Sequence, residues 1–454
     1  MTAHYWCELA WLGGPRAAEG VVIAVEGDRI TGVCADVPVR PEGAVPLAGL
    51  TLPALANAHS HAFHRALRGR THLGRGNFWS WRDLMYRVAS CLDPDSYYRL
   101  ARAVFAEMAL AGIGVVGEFH YVHHRPDGGE YDDPNAMGAA VATAARDAGI
   151  RLTLLDTLYL HGGLDPALGG YEPLRPAQAR FSDGSADRWA DRVERLASTA
   201  SGTMIQIGAA VHSVRAVDPA SIKVATDWAR ERGAPLHFHA SEQSAENEQC
   251  LGVHGMTPVE VIARAGGLGS DTTLVHATHA DGRDQAMIGE ASASCCLCPT
   301  TERDLADGIG PSVGLTHQGA GLCLGSDSHA AIDLFEETRT VELDQRAASG
   351  VRGVFATEDL AAMATSGGYR SLGWPEGGVL EAGALADFVT VGLKGVQLAG
   401  TDTDSALAAT VFAATSADVQ HLVVGGRTVV RDGRHTTVDV AAELAAAITE
   451  VTAP

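Results

Sequence analysis

Between residues 51 and 327 the chain repeatedly sets a short apolar run ahead of a helical pattern, and most of those runs end on a polar side chain. The runs fall near 51–59, 114–121, 151–159, 204–212, 235–240, 271–276, 292–298 and 321–327. Helical patterns fill most of the gaps, among them those beginning Asp95-Ser-Tyr-Tyr-Arg-Leu and Asp218-Pro-Ala-Ser-Ile. Strands that alternate with helices pair in parallel, and eight of them close into a (β/α)8 TIM-like barrel. In that architecture the carboxyl ends of the strands share one rim. His59 and His61 end the first run, Tyr121 the second, His212 the fourth, His239 the fifth, His276 the sixth and Asp327 the eighth. Core packing gives no reason to place a polar group at so many independent strand ends.

The two ends of the chain read differently. Val21 to Ile30 is a hairpin signal with Gly27-Asp28 at its turn, and strand-like runs return at Ala386-Asp-Phe-Val-Thr-Val and His421-Leu-Val-Val. The expected division is a small composite β-sandwich domain from residues 1–52 and 376–454, around a barrel at 53–375.

On a strand, residues i and i+2 face one side, so the rings of His59 and His61 reach one ion together. A third histidine and an aspartate from later strands complete a zinc-type set. A single buried histidine is more often a packed core residue than a ligand; the combination of His59, His61, His239, His276 and Gly325-Ser-Asp327-Ser-His329 reverses that balance. His237 competes with His239 on the same strand face. His239 lies nearer the rim and three residues before Glu242, which leaves His237 as a deeper packing residue. The eight cysteines form no zinc-finger spacing, and Cys295, Cys296 and Cys298 read as buried, inert thiols.

A formal net charge of −21 argues against a nucleic-acid backbone or an anionic membrane as partner. It also requires any anionic substrate to meet its own arginines. The amino terminus shows neither the basic nor the apolar segment of a secretory signal, and no apolar stretch reaches the ~18 residues of a membrane span. A cytoplasmic protein is expected.

These strand-end residues, with terminal segments that include Gly383-Ala-Leu-Ala-Asp387-Phe, resemble the amidohydrolase superfamily of metal-dependent hydrolases over nearly the whole length. The resemblance implies that His59, His61, His239 and Asp327 bind the metal, and that His239-x-x-Glu242 is the deaminase form of that site. Dinuclear members often carry a carbamylated lysine after the fourth strand. Here the only lysines are Lys223 and Lys394, neither on that strand, so one divalent ion is expected. Zn2+ suits three imidazoles and a carboxylate, and Fe2+ or Mn2+ remain open. An ion so held makes bound water acidic near neutral pH. Asp327 would take the proton, His276 would orient the water or stabilise developing charge, and Glu242 would protonate the leaving nitrogen. The plainer account of Glu242 is a solvated carboxylate at a helix start; its offset from His239 favours the catalytic one.

Longer motifs narrow the resemblance. Phe78-Trp-Ser-Trp-Arg82, Glu118-Phe-His120-Tyr121-Val-His123-His124, His212-Ser-Val-Arg215 and Asp307-Gly-Ile-Gly are similar to the formimidoylglutamate deiminase subgroup. That resemblance implies a small dianionic substrate, N-formimidoyl-L-glutamate, hydrolysed at its C–N bond during histidine degradation by a homodimer. Arg215 and Arg82, the latter beside Trp79 and Trp81, would hold carboxylates, with Tyr121 and His212 as hydrogen-bond partners. Arg87 is a weaker candidate because helix phase turns it outward. His64 stands where the subgroup usually has glutamine, which bears on fine specificity rather than on reaction type. Two alternatives stay open: a deaminase of a heterocycle such as guanine or an adenosine derivative, and a barrel turned into a non-catalytic binding module.

Overall fold

The computed structural model describes residues 2–72, 78–199 and 202–453, with side chains from residue 81 onward in the helix Phe78–Ser90. The side chain of Trp79 therefore lies outside the described residues. Eight parallel strands form the barrel: β1 (Leu55–Ser60), β2 (Ile113–His120), β3 (Arg151–Leu158), β4 (Ile205–Val211), β5 (Leu236–Ala240), β6 (Thr272–His276), β7 (Ser294–Leu297) and β8 (Gly321–Leu324). Each pairs with its neighbours in chain order. Every residue of β2 and β3 is buried, as expected where helices cover one face of a strand and the barrel interior the other.

The seam between β8 and β1 closes just beyond the strand ends. Asp327 N–H donates to the His59 carbonyl at 3.1 Å, and His61 N–H donates to the Asp327 carbonyl at 3.3 Å. Gly325 makes this closure possible. A Cβ there would lie 2.7 Å from His59 Cβ and 2.9 Å from the His59 carbonyl oxygen, closer than packed atoms approach.

The helices start and stop on local signals. Asp93 caps Pro94–Leu110 by accepting from Ser96 N–H at 2.7 Å. Asp218 caps Pro219–Arg232 through Ala220 and Ser221, and Gly233 ends it with a left-handed φ of 61°.

The strand-rich ends form a second eight-stranded sheet. Its order is Arg434–His435, Arg427–Arg431, Val419–Val424, Phe388–Val391, Val45–Pro53, Ala3–Ala10, Ala18–Glu26 and Arg29–Cys34. Gly27-Asp28 is the turn of the last hairpin. The sheet curls until Ile30 N–H bonds the Ala384 carbonyl, enclosing Tyr5, Cys7, Val21, Ile23, Leu47, Phe388 and Val423 as its own core. The run at 51–59, read as one strand, is two: Val45–Pro53 belongs to this sheet, and the chain enters the barrel at Leu55. The break sits at Ala54, whose N–H goes to Asp387 while that of Leu55 goes to Gly112. Asp387 also locks the sheet to the barrel end opposite the rim. It receives Arg151 Nε at 2.6 Å and Nη2 at 3.1 Å, the Tyr369 hydroxyl at 3.0 Å and Gly425 N–H at 2.7 Å. The last helix, Val440–Thr452, packs on Pro94–Leu110, with Glu443 paired to Arg102 at 2.7 Å. Among the described residues no helix is long and apolar enough to cross a membrane.

Candidate active site

The four expected ligands meet at the rim. One donor atom from each of His59, His61, His239 and Asp327 lies within 4.8 Å of the other three. His59 Nε2 is 3.1 Å from His239 Nε2 and 3.3 Å from Asp327 Oδ1; His61 Nε2 is 3.4 Å from the same oxygen. Two rings are aimed by their far nitrogens. His61 Nδ1 bonds the Phe119 carbonyl at 3.0 Å and His239 Nδ1 the His212 carbonyl at 2.9 Å. A carbonyl only accepts, so each Nδ1 carries the proton and each Nε2 presents a lone pair. Facing lone pairs beside a carboxylate repel unless a cation lies between them. The donor set therefore fits a divalent ion.

Electrostatics give the same protonation state. Burial pushes His59 down to about 3 despite the Asp327 carboxylate, and lowers His61 and His239 as well. Burial opposes ionisation of Asp327, but the imidazoles around it win and hold the carboxyl far below its usual range. At neutral pH the cluster is three neutral imidazoles and a carboxylate, the form a metal requires.

Two further groups face it. His276 Nε2 lies 3.9 Å from Glu242 Oε1 and 3.8 Å from Asp327 Oδ2, while Nδ1 is 3.3 Å from Glu302 Oε1. Burial would lower its pKa; the carboxylates of Glu242, Glu302 and Asp327 outweigh that and raise it to about 10. The backbone is unusual here too. Ser241, His276, Ala277, Asp327 and His329 all adopt positive φ, between 39° and 72°. Left-handed backbone in non-glycine residues costs on the order of 1–3 kcal/mol each and concentrates at functional sites.

Above the cluster opens a cavity of about 300 Å³. Its wall carries Arg82, Arg175 and Arg215, and all three bear electrostatically on the Tyr86 phenol. Trp81, Tyr121, Tyr159 and Phe181 add aromatic surface. Tyr121 and His64 are joined at 3.0 Å, and His64 Nδ1 is buried with no hydrogen-bond partner. His212 lines the same wall, its Nδ1 3.2 Å from Ser213 Oγ.

The profile of the amidohydrolase family matches residues 50–429. The chain is 36% identical over 429 residues to formimidoylglutamate deiminase of Pseudomonas aeruginosa, covering 92% of this chain and 91% of that one. The chain belongs to the amidohydrolase family. It is also 28% identical over 430 residues to 5-methylthioadenosine/S-adenosylhomocysteine deaminase of Natronomonas pharaonis, covering 93% and 89%. A crystal structure of an amidohydrolase from Brucella melitensis superposes with a TM-score of 0.91 at 32% identity, over 99% of both chains. Membership makes this chain a hydrolase of a metal-dependent family.

Within this amidohydrolase Glu242, His276, His64, Arg82, Tyr121, His212 and Arg215 border the cluster or its cavity. His237 is deeper, bonded to the Ser371 carbonyl at 2.9 Å. Arg87 is exposed, as its helix phase required. Cys295, Cys296 and Cys298 are buried with raised thiol pKa values, inert as expected. Lys223 pairs with Asp227 on an exposed helix face, away from any ligand.

Arg215 differs from the expectation in one respect. It is already engaged, with Nη2 at 3.4 Å from Glu242 Oε2 and Nε at 3.5 Å from Glu246 Oε1. Sequence reasoning missed Glu246, Glu302, Arg175 and Gln178. Arg175 and Gln178 follow a two-stranded hairpin, Gly163–Asp165 with Gly170–Glu172, inserted after β3. Gln178 fixes this wall by donating to the Tyr159 hydroxyl at 2.8 Å. The available signal was length: some thirty residues separate β3 from the helix Ala186–Thr199, well beyond a usual barrel connection.

Proposed function

We propose that this amidohydrolase is a deiminase that converts N-formimidoyl-L-glutamate and water into N-formyl-L-glutamate and ammonia, a step of histidine degradation. One pocket joins a hydrolytic floor of His59, His61, His239, Asp327, Glu242 and His276 to a wall with three arginines. That pairing carries the reading. A protein of net charge −21 gathers guanidiniums beside a hydrolytic centre when its substrate is anionic. The 36% identity to a formimidoylglutamate deiminase supports the same substrate. Aromatic lining does not separate this from a heterocycle deaminase, because the pocket has both; the arginines do.

His59, His61, His239 and Asp327 would hold one zinc ion, which would supply an activated water nucleophile at neutral pH. The chain's own groups do the rest. Asp327 takes the proton of the attacking water. His276, anchored through Nδ1 to Glu302, stands opposite as a cationic donor that restrains the attacking oxygen. Glu242, at the cavity floor, relays the water's other proton to the terminal nitrogen and Asp327 returns the one it took, so that ammonia leaves instead of glutamate. Arg82 and Arg215 bind the two carboxylates, and Tyr121, His64 and His212 contact the formimino group.

The test is ammonia release by the purified protein on N-formimidoyl-L-glutamate, guanine and an adenosine derivative, with product identification. Release from the first, with formylglutamate formed, is the expected result. Turnover of guanine with silence on formimidoylglutamate would overturn the assignment, and formamide among the products would overturn the role of Glu242.

A further inference from the structure

Glu246 has no part in the steps above, yet it touches both working ends of the site. It lies in the first turn of the helix Ser244–His254 and is 1% exposed. Its Oε2 accepts from the backbone N–H of Glu242 at 3.1 Å. Its Oε1 lies 3.5 Å from Arg215 Nε, and neither of those buried atoms makes a hydrogen bond. Arg215 comes from the loop after β4 and Glu242 from the end of β5, so no continuous backbone element sets the distance between them. Glu246 is the side chain that bridges the two.

A helix cap alone does not account for it. Accepting an N–H at a helix start needs only an oxygen, and a neutral amide supplies one. A fully buried carboxylate costs far more than an amide unless a positive partner offsets it. Here that partner is Arg215, which opposes the burial that, with the Glu242 charge, still raises the Glu246 pKa. Were the charge removed, Arg215 would keep one acidic neighbour, Glu242, already 3.4 Å away. The guanidinium, which already bonds Glu242 Oε2 through Nη2, would then lose its opposing anchor and be drawn further onto the carboxyl that has to move a proton, and the anion grip would shift toward the reaction centre.

We propose that Glu246 is a positioning residue that shares the Arg215 guanidinium with Glu242, fixes where it stands in the pocket and so sets the length of acidic side chain the pocket accepts. This rests on the deiminase reading. One methylene of substrate length is worth ~10–200-fold in a well-shaped pocket, enough for a ruler of this kind to show.

The experiment compares kcat and KM on N-formimidoyl-L-glutamate and on N-formimidoyl-L-aspartate, one methylene shorter. It uses the metal-loaded full chain and its Glu246→Gln, Glu246→Asp and Arg215→Lys variants, with melting temperature and metal content measured on each. The wild type should prefer the glutamate compound. Glu246→Gln keeps the acceptor for the Glu242 N–H, so it should fold and bind metal. It should lower kcat on the glutamate compound about tenfold or more and compress the preference over the aspartate compound by a similar factor. Glu246→Asp, with its charge retained, should fall between. Arg215→Lys, which lacks the Nε that faces Glu246, should also relax the preference, a readout that survives if the Glu246 variants do not fold. Unchanged selectivity in the folded variants of an active enzyme overturns the positioning role alone. A wild type silent on both compounds overturns the deiminase reading and this inference with it.

Discussion

Asp327 and Glu242 are both carboxylates at strand ends, yet their surroundings separate their roles. Asp327 is pressed among three imidazoles, with His59 and His61 at 3.3 and 3.4 Å. Glu242 faces the cavity and touches Arg215 and His276. Asp327→Ala should therefore abolish turnover and lower the bound metal, measured by elemental analysis alongside ammonia release. Glu242→Ala should retain the metal while losing ~10²–10⁴ in kcat, the range for one general acid; loss of metal in that variant would show that it belongs to the ligand set. Arg215 read from sequence alone is a binding residue whose removal raises KM. Its contacts with Glu242 and Glu246 change that expectation: Arg215→Ala should raise KM and lower kcat together, because it strands two buried carboxylates. A change in KM alone would mean that those contacts do not matter in the complex.

At the scale of the element, the seam between β8 and β1 does two jobs. The backbone bonds that close the barrel, Asp327 N–H to His59 and His61 N–H to Asp327, also set the carboxylate against the two imidazoles. Gly325 is the hinge of both, since a Cβ would enter the space of His59 and come within 3.0 Å of Cys298 Sγ. Gly325→Ala should push β8 away from β1, destabilise the fold by about 1–3 kcal/mol and reduce metal content more than a remote substitution does. Gly282→Ala, at a helix start with nothing within 4 Å of the added carbon, is the control. Equal metal in the two variants would argue that the seam tolerates displacement.

For the whole molecule, buried histidines tie stability to pH. His123 is wholly buried against the Thr157 carbonyl at 2.8 Å, and burial, helped by the Arg192 guanidinium, lowers it from 6.5 to about 4. A depressed folded pKa means that the unfolded chain takes up protons first. The stabilisation is complete above pH 6.5 and is lost as pH falls through about 4. Asp156 and Asp183 are held below the usual carboxylate range, since Arg192, with His124 on Asp183, outweighs the burial that opposes ionisation. Their stabilisation is lost only at still lower pH. The melting temperature should therefore begin to fall near pH 6.5, before Asp156 or Asp183 protonates. His123→Gln, which still donates to Thr157, should flatten that first limb, and an unchanged slope would assign it to other groups. Removing the metal with a chelator should abolish activity and lower the melting temperature, because the ligands join β1, β5 and the end of β8.

Much of this was legible in the one-dimensional pattern. Alternating apolar runs and helical segments specify a parallel barrel, because each run is too apolar to be covered on one face only. Polar residues at the ends of those runs had to share a rim, and the amidohydrolase resemblance picked His59, His61, His239 and Asp327 out of them. The H-x-x-E offset selected Glu242 and left His237 in the interior. The pattern blurred where the chain changes partners without changing character: 51–59 is apolar throughout, and only Asp387 and Gly112, both remote in sequence, decide that its two halves join different sheets. Glu246 and Glu302 were hidden for a related reason. Each sits in a helix's first turn, where acids are common, and only the fold shows that one meets Arg215 and the other His276. The sequence by itself determined which side chains would assemble, since strand periodicity and barrel topology assign each residue to a face and an end. The tertiary structure alone decided which charges neutralise which, because Coulomb interactions depend on ångström distances between loops that no local pattern encodes.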